Sequence, residues 1–171
     1  MNLIRKHQSK WIVIILIVWL FVIFIHSQQS YHEQTLIPWL KSMISIDDLI
    51  HWVPDITFRY DRIFVNSLVQ PYEFIEFLIR KSAHLIQYSI FGLVIILLVK
   101  SRFLNAMFPL IITLIATFLI ASLDELNQSF NPDRTGSLWD VALDTFGGLS
   151  GVVCLYIISW IWNRKKYKDV K

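Results

Sequence analysis

Four long apolar runs constrain this chain more than any other feature of its sequence. They cover approximately residues 11–27, 75–99, 103–123 and 139–162. An α-helix rises about 1.5 Å per residue and the bilayer core is about 30 Å thick, so runs of this length predict membrane spans. With 55% hydrophobic and 17% charged residues, the 171-residue chain is also too apolar for an ordinary soluble domain. We predict an all-α membrane protein, a single domain over residues 1–171, built as a four-transmembrane-helix bundle.

Basic residues at the ends of the runs predict the orientation. They precede the first run, separate the second from the third, and follow the fourth: Arg5, Lys6, Lys10, Lys100, Arg102, Arg164, Lys165, Lys166, Lys168 and Lys171. Cytoplasmic loops carry an excess of Lys and Arg. We therefore expect a multi-pass protein of the bacterial cell membrane with cytoplasmic N- and C-termini. Because these residues flank spans and form no stripe on a soluble face, the net charge of +3 does not indicate a nucleic-acid partner.

The first run and the segment that follows it carry further sequence signals. The basic leader before the first run is also typical of a signal peptide, but no small-x-small cleavage pattern follows it, so we interpret the run as a retained span. The outer segment, 28–72, is rich in apolar residues up to Pro54, and their spacing predicts one or two interfacial helices. The alternation of Ile56, Phe58 and Tyr60 with polar residues then predicts an extended piece.

Polar residues recur at helical spacing in three of the runs, towards their outer ends. In each of these helices the residues share one face. The sets are Lys81, His84, Tyr88 and Gly92 on the second helix, Thr113, Thr117, Asp124 and Gln128 on the third, and Asp140, Asp144, Gly147 and Gly151 on the fourth. An ionisable group in hydrocarbon costs roughly 2.5–3.5 kcal/mol on insertion scales. We therefore expect the three faces to be buried against each other in an outer-face polar cleft, with Lys81 paired to Asp140 or Asp144.

Glycines on the same faces predict close helix packing. Gly147 and Gly151 form a G-x-x-x-G pattern, with Gly148 beside them and Gly92 on the second helix. Small residues at this spacing allow two helix backbones to approach each other closely. This pattern indicates packing and says nothing about chemistry.

The turn between the third and fourth runs carries Arg134. Asn131-Pro132 and Thr135-Gly136 are turn sequences, and Ser137 is a suitable N-cap for the fourth helix. A guanidinium on this turn could bind phosphate or carboxylate through two hydrogen bonds, or bridge to Asp124 or Asp140. Both roles stay open. The predicted cleft comprises Lys81, His84, Tyr88, Asp124, Glu125, Gln128, Arg134, Asp140 and Asp144.

Taken together, these residues resemble the VanZ-like family, named for a teicoplanin-resistance protein. The resemblance rests on Arg80-Lys-Ser-Ala-His-Leu-Ile-Gln-Tyr88, Asp124-Glu-x-x-Gln128, Pro132-x-Arg134, Asp140 and Gly147-Gly-x-x-Gly151, and it covers about residues 70–155. The chain departs from the family pattern at Gln87, where Glu is common, at Asp133, where Gly is common, and at Asp144, where Asn is usual. The resemblance implies a membrane protein that in some members lowers susceptibility to teicoplanin-like lipoglycopeptides, without implying a reaction.

Several functions remain open at this point. The cleft could bind a lipid-linked envelope precursor or a glycopeptide-like ligand, or it could be the active site of an enzyme acting on a phosphate-bearing or glycan envelope lipid. In the enzyme, Asp124, Glu125 and Asp140 could hold a divalent cation, and His84 could move a proton. The same groups could instead form only a structural lattice between helices. A small accessory or oligomeric transport subunit is the remaining alternative. The sequence contains no nucleotide-binding motif and no common hydrolase motif.

Overall fold

The computed structural model of the chain describes residues 3–100, 107–131, 134 and 136–168. Predictions that involve residues 103–106, Arg102, Pro132, Asp133, Thr135 and Lys171 lie outside these residues. In chain order, the elements are α1 (Leu3–Gln28), α2 (Tyr31–Gln34), α3 (Ile37–Met43), α4 (Ile46–Trp52), β1 (Thr57–Tyr60), β2 (Ile63–Asn66), α5 (Pro71–Lys100), α6 (Met107–Ser129) and α7 (Leu138–Lys168).

Four of these helices contain stretches that are long and apolar enough to cross a membrane. The stretches are Lys10–Gln28, Pro71–Lys100, Met107–Ser129 and Leu138–Trp162. Most large apolar side chains of α1 are exposed, as expected for a helix that meets lipid with much of its surface. The predicted bundle of four long apolar helices is therefore confirmed, with a small sheet added to it.

The long helices alternate in direction, so their ends fall into two groups. Ser27 and Asp124, near the ends of α1 and α6, are in contact, since the Ser27 hydroxyl donates to the Asp124 carbonyl at 3.4 Å. Lys81 and Asp140, near the starts of α5 and α7, form an ion pair. Helices α1 and α6 end, and α5 and α7 begin, at the same end of the bundle. We call it the hairpin end, because the two strands lie there.

Helix α6 is longer than the sequence predicted. The third span was expected to end at residue 123 and to be followed by a loop, but the helix continues to Ser129. Asp124, Glu125 and Gln128 in this added stretch are buried, whereas Leu123 and Leu126 are exposed. The helix continues because its polar residues turn inward, to Tyr88 of α5 and to the turn before α7, and its leucines stay on the outer surface.

The segment between α1 and α5 forms three short helices where one or two were expected. Ser30 caps α2 in a capping box: its side chain accepts from the Glu33 amide, and the Glu33 carboxylate accepts from the Ser30 amide. Leu40 of α3, Leu49 of α4 and Tyr72 of α5 form a small apolar core that attaches this segment to the bundle. The segment between α1 and α5 is therefore packed against the start of α5.

The predicted extended piece is a two-stranded antiparallel hairpin. Thr57 pairs with Asn66 and Tyr60 pairs with Ile63, which leaves a two-residue turn. Asp61 in this turn has a φ of 52°, a left-handed conformation that Asp tolerates better than most residues. Phe58 of β1 contacts Phe77 of α5, with ring centroids 5.7 Å apart, so the hairpin packs on the start of α5.

Glycines bring α5 and α7 into direct backbone contact. A Cβ atom on Gly92 would overlap the Gly148 carbonyl, and one on Gly151 would overlap the Ser89 carbonyl. A Cβ on Gly147 would lie 2.8 Å from the Leu85 carbonyl oxygen. The glycines predicted to pack helices thus lie where α5 and α7 meet, and the close approach sets which residues of the two helices face each other.

Replacing Gly151 with alanine should destabilise the bundle. The added methyl group has no free volume, and overpacking of this kind costs typically about 1–3 kcal/mol. We expect a clearly lower midpoint of thermal unfolding in detergent for Gly151→Ala than for the wild type. Val153→Ala, on an exposed surface of the same helix, is the matched control and should unfold near the wild-type temperature. Equal effects of the two substitutions would show that the close contact is unimportant.

Candidate functional site

A cleft of about 360 Å³ opens at the hairpin end, between the hairpin and the first turns of α5 and α7. Its walls combine aromatic and apolar side chains with several polar and charged ones. They include Tyr31, Tyr60, Ile63, Phe64, Glu76, Phe77, Arg80, Lys81, His84, Gln128, Arg134, Ser137 and Asp140. The volume is in the range of small-molecule sites. Helices contribute most of the charged groups, and the hairpin contributes an apolar side.

Lys81 and Asp140 form the ion pair at the centre of the cleft. The Lys81 ammonium also lies 4.8 Å from the centre of the Tyr60 ring, a cation–π distance. The Tyr60 hydroxyl donates to the same Asp140 oxygen at 2.7 Å. Burial and this hydrogen bond raise the pKa of the Tyr60 phenol above its usual value, so the hydroxyl remains a donor. The hairpin is thereby connected to α5 and α7.

Asp124 lies deeper, between α5 and α6. One of its carboxylate oxygens, Oδ2, accepts from the Tyr88 hydroxyl at 3.1 Å and from the Gln128 amide at 3.2 Å. The other oxygen, Oδ1, is buried and has no hydrogen-bond partner within the described part of the chain. Tyr88 is completely buried, so the interaction is shielded from water. One side of the Asp124 carboxylate is fixed and the other is free.

His84 and Asp144 face each other across α5 and α7. His84 Nδ1 lies 3.4 Å from Asp144 Oδ2, and the Asp144 side chain is completely buried while that of His84 is 24% exposed. Asp144 Oδ1 is a second buried carboxylate oxygen that lacks a partner among the described residues. His84 thus connects a buried carboxylate to the cleft.

Glu125 stabilises the start of α7. Its Oε2 atom accepts from the Ser137 backbone amide at 2.8 Å, and the Ser137 hydroxyl in turn accepts from the Trp139 amide. A carboxylate near a helix N-terminus interacts favourably with the helix dipole. Glu125 is 5% exposed, and its Oε1 atom has no partner within the structure's described ranges. Ser137 is the N-cap, as the sequence predicted.

Two arginines meet at the side of the cleft. Arg80 donates to the Gln34 side-chain carbonyl at 3.2 Å, and Arg134 donates to the same oxygen. Arg134 also donates to Gln128 at 3.2 Å, and its Nε atom is buried without a partner among the residues described. Burial, and then the nearby Arg80, lower the pKa of Arg134 from its usual value. Two cations therefore share a neutral amide.

Two carboxylates that line the cleft with the arginines already have other partners. Asp140 pairs with Lys81. Glu76, which is 2% exposed, accepts from the Tyr31 hydroxyl at 2.7 Å and from the Leu36 amide at 2.6 Å. Within the described ranges, neither Arg80 nor Arg134 has a carboxylate within ion-pair distance. Arg80 and Arg134 are therefore not ion-paired within the described ranges, and the Asp124 and Glu125 carboxylates act on Arg134 only from a longer distance.

The structure brings the predicted cleft residues together at two levels. Lys81, His84, Gln128, Arg134 and Asp140 line the cleft itself. Tyr88, Asp124, Glu125 and Asp144 lie buried beneath it, each linked to the hydrogen bonds described above. The Lys81 pairing is with Asp140, and no ion pair joins Lys81 to Asp144 among the described residues.

The described residues contain a group that could hold a metal ion, and it is not the Asp124, Glu125 and Asp140 group predicted from the sequence. In the structure His84, Asp124 and Asp144 each offer a ligand atom, and these atoms lie within 4.8 Å of one another. Asp140 lies one helical turn before Asp144, at the level of Lys81 and Tyr60. Glu125 is directed to the start of α7.

Several cleft residues were missing from the sequence-based set. Arg80 gave a signal, since a basic residue at the outer end of a span opposes the usual charge distribution. Glu76, a carboxylate one turn earlier, gave a different signal, since an ionisable group within a span is costly unless it has a partner. Gln34 and Tyr60 gave none, because their roles depend on how the segment between α1 and α5 folds back onto the helices.

The sequence profile of a known family matches residues 12–159, which is most of the chain. The chain belongs to the VanZ/LLP1 family. The match begins within α1 and includes the segment before α5, so it extends well beyond the 70–155 that the motifs covered. No curated protein and no solved structure matches the chain.

The Lys81–Asp140 ion pair should contribute to stability. Its side chains are 25% and 15% exposed, so its contribution should lie between those of a surface pair and a buried pair. We expect Lys81→Met to lower the free energy of unfolding by about 1–3 kcal/mol. The double variant Lys81→Met/Asp140→Asn should lose less than the sum of the single effects. Additive losses in thermal or denaturant unfolding would show that the two groups are not coupled.

Proposed function

We propose that this VanZ/LLP1 protein binds the phosphate-bearing headgroup of an envelope lipid or lipid-linked precursor in its cleft. We further propose that this binding alters the cell surface and so lowers susceptibility to teicoplanin-like lipoglycopeptides. Family membership supports a VanZ-like membrane protein. The observation that carries the ligand proposal is the convergence of Arg80 and Arg134 on Gln34 without an ion-paired carboxylate among the described residues.

The chemistry of the cleft favours a phosphate over a neutral ligand. Guanidinium groups bind phosphate through paired, charge-assisted hydrogen bonds, and Arg134 retains a buried Nε donor without a described partner. Both arginines are half-buried, and holding two cations side by side partly out of water is unfavourable unless an anion compensates them. An anion at this position would contact both arginines and satisfy the free donor.

The other side of the cleft suits the hydrocarbon part of a lipid. Ile63 and Phe64 of β2 line it and are themselves exposed, at 57% and 65%. Phe77 and Tyr60 continue the apolar surface inward. An amphiphile could therefore place its phosphate against the arginines and its hydrocarbon chain along the hairpin. A fully water-soluble ligand would not need this apolar surface.

Binding should depend on the phosphate and on Arg134. We expect calorimetric titration of the full chain in detergent micelles to show binding of farnesyl phosphate and no binding of farnesol. Arg134→Ala and Arg80→Ala should each weaken the affinity about tenfold or more, as expected for a lost charge-assisted hydrogen bond. Arg59→Ala, which alters an exposed arginine of the hairpin, should bind like the wild type. Equal binding of the alcohol, or an unaffected Arg134→Ala variant, would contradict the proposal.

The same variants test the effect on drug susceptibility. A strain that produces the wild-type chain should need more teicoplanin for growth inhibition than one with Arg134→Ala at equal membrane abundance. Equal inhibitory concentrations would count against a role of the cleft. Direct binding of teicoplanin by the purified chain, in place of farnesyl phosphate, would assign the cleft to the antibiotic and overturn the lipid proposal.

A second candidate is an enzyme that modifies such a lipid. It is favoured by the His84–Asp144 contact beside the cleft, because a histidine next to a buried carboxylate can act as a general acid or base. Extracting the lipid after prolonged incubation with the chain separates the candidates. If the lipid is unchanged, the result supports binding alone. If the wild-type chain forms a product and the Asp124→Asn variant does not, the result would establish catalysis.

The proposal also needs the cleft to face outward. The basic flanks of the four spans support cytoplasmic termini, which place the hairpin end outside. Fluorescent protein fused after Lys171 should therefore fluoresce in cells, and alkaline phosphatase fused at the same point should be inactive. An active phosphatase fusion would show that the C-terminus lies outside the cell and the hairpin end in the cytoplasm, contrary to the proposal.

A further inference from the structure

We propose that His84, Asp124 and Asp144 bind one first-row divalent transition-metal ion, such as Zn²⁺, at the base of the cleft. The three side chains come from α5, α6 and α7, and each offers a ligand atom within 4.8 Å of the other two. Three separate helices thus converge on a single point. The site is different from the Asp124, Glu125 and Asp140 group considered from the sequence.

The spacing suits a small ion. Ligand atoms about 2.1 Å from a tetrahedral Zn²⁺ lie roughly 3.4 Å from each other. His84 Nδ1 and Asp144 Oδ2 are 3.4 Å apart, so this pair needs little movement to coordinate. The Asp124 carboxylate completes the group by a shift of the order that side chains make on binding a ligand.

Two buried oxygen atoms point to a missing ligand. Asp144 is completely buried and Asp124 is 7% exposed. Each has an Oδ1 atom without a hydrogen-bond partner within the part of the chain described. Buried carboxylate oxygens are usually hydrogen-bonded or bound to a cation, because an unpartnered one is costly. A metal ion that Asp144 bound through both of its oxygens and Asp124 bound through Oδ1 would satisfy both atoms together.

The local charge also favours a cation. Within the described ranges, no Lys or Arg lies within ion-pair distance of Asp124 or Asp144. The nearest ammonium in the cleft, that of Lys81, pairs with Asp140. His84 is thus the ionisable partner of Asp144. A divalent ion would neutralise both carboxylates while His84 stays neutral, which is the form that coordinates metals.

Neighbouring groups already orient the ligands. Tyr88 and Gln128 both donate to Asp124 Oδ2, which leaves Oδ1 available to an ion, and such supporting bonds are a regular feature of metal sites. The mixed imidazole and carboxylate set suits ions such as Zn²⁺ or Fe²⁺ better than Mg²⁺ or Ca²⁺. Since His84 lines the cleft, the remaining coordination position would be accessible from it.

Direct metal analysis tests the site. The full chain, purified in detergent, stripped with a chelator and dialysed against Zn²⁺, should retain one ion per chain and unfold at a higher temperature than the stripped form. Co²⁺ should give visible d–d absorption bands. Asp144→Asn and His84→Gln should lower the Zn²⁺ affinity at least tenfold and abolish those bands. Each variant keeps a side chain of similar shape, so a protein that elutes and unfolds like the stripped wild type is a valid comparison.

Nearby carboxylates provide the controls. Glu125→Gln and Asp140→Asn should retain the ion, because neither residue belongs to the group. If the wild-type chain retains no ion, the proposal is overturned. In that case protons would neutralise the two aspartates. Equal losses in all four variants would also overturn it, since the ion would then depend on general negative charge. The proposal does not rest on the lipid: Arg134→Ala should bind Zn²⁺ normally, even if farnesyl phosphate binds to neither protein.

Discussion

The structure depends on the high cost of leaving ionisable groups in a hydrocarbon environment. Lys81, His84, Asp124, Asp140 and Asp144 all lie on helices that are otherwise apolar enough to span a membrane. Lipid offers them no hydrogen bonds, so the helices associate with these faces inward. The same requirement places apolar side chains on the outer surface and concentrates the protein's chemistry at one end of the bundle.

Close packing turns this general tendency into a defined geometry. α5 and α7 run in the same direction and touch through glycine, so corresponding turns of the two helices face each other. Lys81 meets Asp140, and one turn further along His84 meets Asp144. Without the glycines the helices would be too far apart for both contacts. The cleft is therefore a consequence of packing as much as of charge.

The parts of the structure that the sequence predicts depend on interactions between residues close in the chain. The parts that it does not predict depend on contacts between residues far apart in the chain. The four long helices, the polar faces and the glycine contacts follow from periodicity within single runs, and sequence predicts them well. The extension of α6 beyond residue 123 was missed because Asp124 and Glu125 look like loop residues until their buried partners are known. Similarly, Gln34 and Tyr60 reach the cleft only through the fold of the connecting segment, which local patterns do not determine.

Cysteine cross-linking in the membrane tests most directly whether the ionisable faces meet. In a Cys154→Ser background, the pair His84→Cys and Asp144→Cys should cross-link rapidly with a short bifunctional thiol reagent. Ile86→Cys and Phe146→Cys, on the exposed surfaces of the same two helices, should not. We expect this selectivity in native membranes if the ionisable faces of α5 and α7 meet. Efficient cross-linking of the second pair, with none of the first, would show that the ionisable residues face away from each other.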